Sequence, residues 1–209
     1  VYKTEDAGVS WRNVTDGQLG TSSIGAIAVA ESDDNVVFVG TGEAAPRGNA
    51  LSHGDGVSKS TDAGKTWTSV GLKETRHISQ VRIDPRKPGL VFVAALGPVA
   101  KDSKDRGVFK SADGGRTWRQ TLFVDETTGA VDLVIDPVNP RHLYAAMWDF
   151  RRLPWQIRSG GTGSGLYKST DGGETWKKLS EGLPGGTLGK IGVTVSPSRH
   201  ERVWAVIEA

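Results

Sequence analysis

Apolar and polar residues alternate in short stretches along the chain, and each stretch is broken by a cluster of Gly, Asp, Asn or Pro. That period of two, with turn residues at the breaks, predicts strands joined as hairpins. "GLYKSTDGGETW" at 165–176 is the clearest case: "GLYKS" alternates as a strand, "TDGGE" is a turn and "TWKKL" is a return strand. The same dozen residues recur as "GVSKSTDAGKTW" at 56–67 and "GVFKSADGGRTW" at 107–118, and the chain opens on "VYKTEDAGVSW". The tryptophans of these four boxes, Trp11, Trp67, Trp118 and Trp176, are 56, 51 and 58 residues apart. Self-similarity at such a period marks a repeat architecture. In each box an aspartate (Asp6, Asp62, Asp113, Asp171) can accept bonds from turn amides two residues on. A glycine (Gly8, Gly64, Gly115, Gly173) supplies a positive φ. The tryptophan offers a large apolar area to cover the turn and the outer layer of the sheet. All of these residues are assigned structural roles.

A second hairpin lies between the boxes, at 24–43, 78–97, 130–149 and 191–209. Each copy is a strand, an Asp- or Pro-rich turn and a more apolar strand, with Phe38, Phe92, Tyr144 and Trp204 aligned in one layer. In "DPxxP" proline presets φ and cannot sit in a central strand, so the turn falls there. One repeat unit is therefore four antiparallel strands, A to D: the blade of a β-propeller. The units are 24–70, 78–123, 130–180, and 190–209 together with 1–14, so a single 1–209 domain holds four blades' worth with one blade split between the termini. Residues 1–14 are expected to complete the sheet of 190–208, with strand A nearest the axis. The ring could close at four blades, two chains could share a larger ring, or the chain could be an excerpt of a longer propeller.

The four boxes resemble the Asp-box, or BNR, repeats of sialidases, xyloglucan hydrolases and sortilin-type propellers. Beyond them, "VGTGEAAPRGNALSHGDG", "ETRHI", "VFVAALG", "GAVDLVIDP", "YAAMWDFRR" and "LGKIGVTVSP" resemble a bacterial, sortilin-like Asp-box family often labelled glycosyl hydrolase. The resemblance implies a longer, extracytoplasmic protein, periplasmic or secreted, and so favours the excerpt. It also implies that the C–D turns lie on the face away from the binding site, with the B–C and D–A loops together on the other. The box occurs in enzymes and binding proteins alike, so it specifies fold and not activity.

Composition narrows the chemistry. The chain has 209 residues, 36% of them hydrophobic, and 28 glycines, as a turn-rich all-β domain would. It contains no cysteine, which removes disulfides, thiolate metal sites and a Cys nucleophile. A net charge of +2 with interleaved signs offers no basic stripe for nucleic acid. No apolar run is long enough to span a membrane. No cofactor is implied, and the partners expected are a glycan or a protein or peptide, with further blades from a longer chain or a second copy.

Candidate chemistry falls on the unequal loops. Loop 42–56 carries Glu43, Arg47, Asn49, His53 and Asp55; the D–A loop adds Arg76 and His77. Loop 149–165 carries Asp149, Arg151, Arg152, Trp155 and Arg158, whereas loop 97–107 is simply polar. Carboxylates, arginines and a tryptophan suit a sugar or an anionic ligand. The ligand-binding candidates are Arg47, His53, Asp55, Arg76, His77, Arg151, Arg152 and Trp155. Arg151 and Arg152 could equally pair with Asp149 or cover loop backbone, and Trp155 beside Pro154 could plug its own loop. His53 and His77 lack the spacing of metal ligands, so no metal site is assigned. Glu43 and Asp149 each lie five residues beyond the aligned aromatic, where the other blades have Gly97 and Ala209. They are the candidate acid pair of a glycoside hydrolase, or else two acids capping loop amides. A sialidase-type tyrosine nucleophile is disfavoured, since Tyr2, Tyr144 and Tyr167 all fall on strand patterns.

Overall fold

The structure is a computed structural model that describes residues 1–45 and 51–209. It is all-β and built as propeller blades. β1 (Tyr2–Lys3) and β2 (Arg12–Asn13) form a short hairpin. β3 (Ile24–Ala30), β4 (Asp33–Thr41), β5 (Val57–Ser60) and β6 (Thr68–Ser69) form the first four-stranded antiparallel sheet in chain order. After a single 3-10 turn at Lys73–Thr75, β7 (Ile78–Asp84), β8 (Lys87–Ala95), β9 (Gly107–Ser111) and β10 (Arg119–Leu122) repeat it. The third sheet is β11 (Thr128–Ile135), β12 (Leu143–Leu153), β14 (Gly165–Ser169) and β15 (Lys177–Lys178). Here β12 runs on past its blade and pairs with β13 (Gln156–Ser159), an added hairpin. β16 (Ile191–Val195) and β17 (Val203–Ile207) close the described chain as a hairpin.

Side-chain caps explain the A–B turns. The Asp84 carboxylate accepts Arg86 N and Lys87 N at 2.8 and 3.0 Å. Asp136 does the same for Val138 N and Asn139 N. In the boxes, Asp113 Oδ1 accepts Thr117 N at 2.9 Å, Oδ2 accepts the Thr117 hydroxyl at 2.6 Å, and Ser111 Oγ accepts Gly115 N at 2.8 Å. The same set holds at Asp62 with Thr66 and at Asp171 with Thr175. The capped amide is thus four residues on rather than two.

The tryptophans do more than cover their own turns. Trp118 Nε1 donates to Val70 O at 2.7 Å, and Trp67 Nε1 to Val14 O at 2.7 Å. Trp176 Nε1 reaches Thr121 Oγ1 at 3.3 Å. Each acceptor belongs to strand D, or its end, in the preceding repeat, so each of these three boxes ties its blade to the one before. The box glycines make the approach possible: a Cβ on Gly173 would meet the Phe92 ring at 2.7 Å, and one on Gly115 the Phe38 ring at 3.4 Å. Between blades lie continuous apolar layers. Phe38 and Val57 pack with Ile78, Val81, Val91 and Phe109. Phe92 and Val108 pack with Leu133, Leu143 and Met147, and Tyr144 and Trp148 with Ile191 and Val193.

One expected pairing is absent. Residues 1–14 do not join the sheet of 190–208 within the chain; β1–β2 and β16–β17 are separate two-stranded sheets. The A strands pack in sequence, β3 on β7, β7 on β11 and β11 on β16. β3 and β16 therefore stand at opposite ends of the row, and the two halves of the split blade are kept apart.

Two outcomes test the box. Trp118→Ala should lower unfolding free energy by about 2–4 kcal/mol in denaturant melts, since a half-buried indole and its bond to Val70 are lost together. The carboxyls of Asp62, Asp113 and Asp171 are held well below the ordinary range, first by the threonine hydroxyl and then by the threonine amide. Their folded pKa values lie below the unfolded ones, so their contribution is complete above about pH 4 and is lost as pH falls further. Asp113→Asn should accordingly flatten the acid limb of a stability–pH profile.

Candidate functional site

Backbone bonds gather the B–C and D–A loops at one end of the sheets. Gly54 N donates to Arg76 O at 2.7 Å, Ser103 N to Glu126 O at 3.0 Å and Gly161 N to Leu188 O at 3.4 Å. The box turns lie at the other end, where Ala63 N, Gly114 N and Gly172 N bond to Asn35 O, Gly89 O and Arg141 O of the A–B turns.

Around the first loop, Glu43 is pinned from both its backbone and its side chain. Its N–H donates to Ser52 O and its Oε2 accepts Ser52 N, each at 3.1 Å. Its carbonyl lies 3.1 Å from Nδ1 of His77, whose ring is fully buried and 5.2 Å from the exposed ring of His53. Among the described residues His77 Nε2 has no hydrogen-bond partner. Asp55 turns back into its own loop, bonding Thr41 Oγ1 through both its carboxylate and its amide. Arg76 adopts φ 58° and pairs with Glu74 at 3.3 Å. Arg47 and Asn49 lie outside the described residues.

The second group forms round loop 149–165. Asp149 Oδ1 accepts Arg158 at 2.7 Å, its amide donates to Ser164 Oγ, and its carboxylate fills the space where a Cβ on Gly161 would sit. Arg151 pairs with Asp102 of the neighbouring loop and donates to Ala100 O at 3.2 Å. Arg152 caps its own hairpin through Leu153 O at 2.7 Å. Trp155 does not plug the loop. It sits at the tip of the β12–β13 hairpin, 80% exposed, with Ile157 exposed beside it.

Between these two groups stands a residue that loop composition alone did not single out. Arg106 is fully buried, donating to Leu96 O at 2.7 Å, to Pro98 O and to Lys101 O at 3.2 Å. Burial, and then the charge of Arg151, lowers its pKa to about 10, while Asp102, Asp149 and Asp125 oppose the shift. The guanidinium is still charged at neutral pH. Gly97, at φ 76°, leaves room for its stem: a Cβ there would meet Arg106 Cγ at 2.3 Å. Register held the clue. Asp55, Arg106 and Ser164 each precede a glycine at, or one residue before, the start of strand C, and all three fold inward onto their own B–C loop.

Electrostatics link the two groups. The His77 imidazole is lowered to about 4, by burial first and then by the charges of His53, Arg106 and Arg76. Among the described residues no cluster of three or more His, Asp or Glu is arranged to hold a metal.

The family model for sortilin, neurotensin receptor 3 (Sortilin-Vps10) matches residues 55–190. The chain belongs to that family of propeller proteins. It is also homologous to two curated fungal enzymes. A xyloglucanase of Hypocrea jecorina is 30% identical over 142 residues, covering 60% of this chain and 15% of the enzyme. An oligoxyloglucan-reducing end-specific xyloglucanase of Emericella nidulans is 38% identical over 108 residues, covering 46% of this chain and 12% of the enzyme. Among solved structures, the GH74 enzyme of Niastella koreensis superposes with TM-score 0.68 at 23% identity, over 97% of this chain and 28% of that one. The GH74 xyloglucanase from Xanthomonas campestris gives 0.61 at 18%, over 91% and 28%. The chain thus spans under a third of each protein named here. No helix among the described residues is long and apolar enough to cross a membrane.

Removing Arg106 should be costly. Arg106→Met orphans two buried carbonyls, Leu96 O and Pro98 O, and should destabilise the chain by about 3 kcal/mol. His77 makes a pH-dependent contribution. Its ordinary pKa of 6.5 falls to about 4 on folding, so between those values the unfolded chain binds the extra proton. The contribution is complete above pH 6.5 and is lost as pH drops toward 4. Over that window it amounts to as much as about 3 kcal/mol, and His77→Gln should remove that dependence in melts from pH 7 to pH 4.

Proposed function

We propose that the loop face is a glycan-binding surface, and that the chain supplies this surface as part of an extracytoplasmic propeller. Trp155 carries the proposal. A large apolar ring left 80% exposed at the tip of a hairpin that outgrows its blade has no packing role in the fold. An indole face matches the apolar face of a pyranose, and the surrounding Asp102–Arg151 and Asp149–Arg158 pairs offer donors and acceptors for hydroxyls. Arg152, His53 and Arg76 extend the polar rim. The homologous xyloglucanases make a xyloglucan-type oligosaccharide the first ligand to try.

That homology also favours a second reading, glycoside hydrolysis by Glu43 and Asp149. Both acids sit on loop-face termini of B strands, but each is engaged: Glu43 with Ser52 N and Asp149 with Arg158. For Asp149 to serve as acid or base, substrate must displace Arg158.

Calorimetric titration with xyloglucan oligosaccharides tests the binding reading. Trp155→Ala should weaken affinity at least about tenfold, a loss of about 1.4 kcal/mol, with an unchanged melting curve because the ring is exposed. Equal affinities for the variant and the parent, or no oligosaccharide binding by either, would overturn it. Reducing-end release that is present in the parent and lost in Glu43→Gln and Asp149→Asn would establish hydrolysis.

A further inference from the structure

The chain has four histidines, and hydrogen bonding divides them into two kinds. At the A–B turns, His142 and His200 have a partner at each ring nitrogen. Their Nδ1 atoms lie 3.8 and 3.1 Å from Asp136 Oδ2, and their Nε2 atoms lie 3.4 and 3.3 Å from Asn139 and Glu201. At the loop face, His53 and His77 differ. His53 is bonded through its carbonyl, which accepts the Thr21 hydroxyl at 3.2 Å, and among the described residues its ring nitrogens are left without a hydrogen bond.

The proton on His77 can be placed. A carbonyl only accepts, so Nδ1 carries the hydrogen that meets Glu43 O at 3.1 Å. Nε2 is then a bare lone pair, buried with no donor to meet it among the described residues. A neutral imidazole whose Nδ1–H is fixed on a backbone carbonyl is oriented as metal-ligating histidines are. The ring beside it is that of His53, with centroids 5.2 Å apart and planes tilted by 48°. An ion about 2 Å from one nitrogen of each ring stands roughly 3.2 Å from each ring centre, and a tetrahedral angle then separates the centres by about 5.2 Å. The two rings already have that separation.

Both loops hold the pair in place. Gly54 N, one residue after His53, donates to Arg76 O, one residue before His77, at 2.7 Å. Leu96 N secures His77 O at 2.9 Å. Arg76 takes a φ of 58°, which a non-glycine residue keeps only where its surroundings impose it. His77 is fully buried and His53 is exposed, so an ion enters from the His53 side. Charge selects the ion. Arg106 and Arg76 disfavour positive charge at His77, which argues against calcium or magnesium. Copper(II) gains most from imidazole among the first-row divalent ions.

We propose that His53 and His77 bind one divalent transition ion of the copper(II) type, clamped between the first B–C loop and the D–A loop. Among the described residues no third His, Asp or Glu joins them, so water completes the coordination. The ligands come from separate loops, and for that reason no spacing motif marks them. The proposal is independent of the glycan-binding reading.

Copper(II) titrated into the 209-residue chain near neutral pH should fill one site, with the couplings of two imidazole nitrogens in its EPR spectrum. His53→Gln should weaken binding at least about tenfold and leave the melting curve unchanged, because its ring is exposed. His77→Gln should abolish the two-nitrogen spectrum; if that variant does not fold, His53→Gln alone decides. His142→Gln and His200→Gln should keep the parent's affinity. Equal affinity for His53→Gln and the parent, loss of binding in His142→Gln or His200→Gln, or a Kd weaker than about 100 μM in the parent would overturn the proposal.

Discussion

Each blade is held by a turn that belongs to the next one. The Asp and Ser/Thr caps of the box spend no atoms on ligand; they fix a short turn so firmly that its tryptophan and glycine can be aimed backwards. The glycine presents bare backbone to the preceding blade's aromatic ring, and the lysine above that ring bonds the turn's carbonyl. Apolar layers between blades do the bulk of the burial, but they are greasy on both sides and could slide. The box sets how far and at what angle one blade sits from another.

That constraint leaves the opposite ends of the sheets free to differ, and they do. The three B–C loops share a start and a finish, at the aromatic of strand B and the glycine of strand C, yet they fold on different devices: a Thr41–Asp55 lock, a buried Arg106, and a Ser164 hydroxyl beneath an outgrown hairpin. Charge accumulates there because the loops cannot reach a core of their own. Arg106 offsets this by acting as a core made of hydrogen bonds, with backbone carbonyls around it where an apolar cluster would otherwise be needed.

The blade pattern was legible because its signals are local. The box, the "DPxxP" turn and the alternation between them each act over fewer than a dozen residues, and the four-stranded sheets follow. What crosses between blades was not legible: the Trp118 bond to Val70 joins residues 48 apart, and nothing near Trp118 announces its acceptor. The separation of residues 1–14 from the sheet of 190–208 has the same origin, since it depends on how blades rotate about one another. At the loop face, composition pointed to Trp155 and to the arginines. Composition could not rank Arg106 above Lys101 or Lys104, because burial of that side chain depends on the cavity that Gly97 leaves. That Glu43 and Asp149 could be engaged by their own loops was open in the sequence; that Ser52 N and Arg158 hold them was not.

The backward aim of the box bears on how the chain is made. A ribosome releases the N-terminal end first, so when the box at Asp113 emerges, Phe38 and Val70 are already outside and folded into a surface that can receive it. Every later blade meets a finished template in the same way. Assembly can then advance one hairpin at a time with synthesis, each new blade covering the apolar face left by the one before.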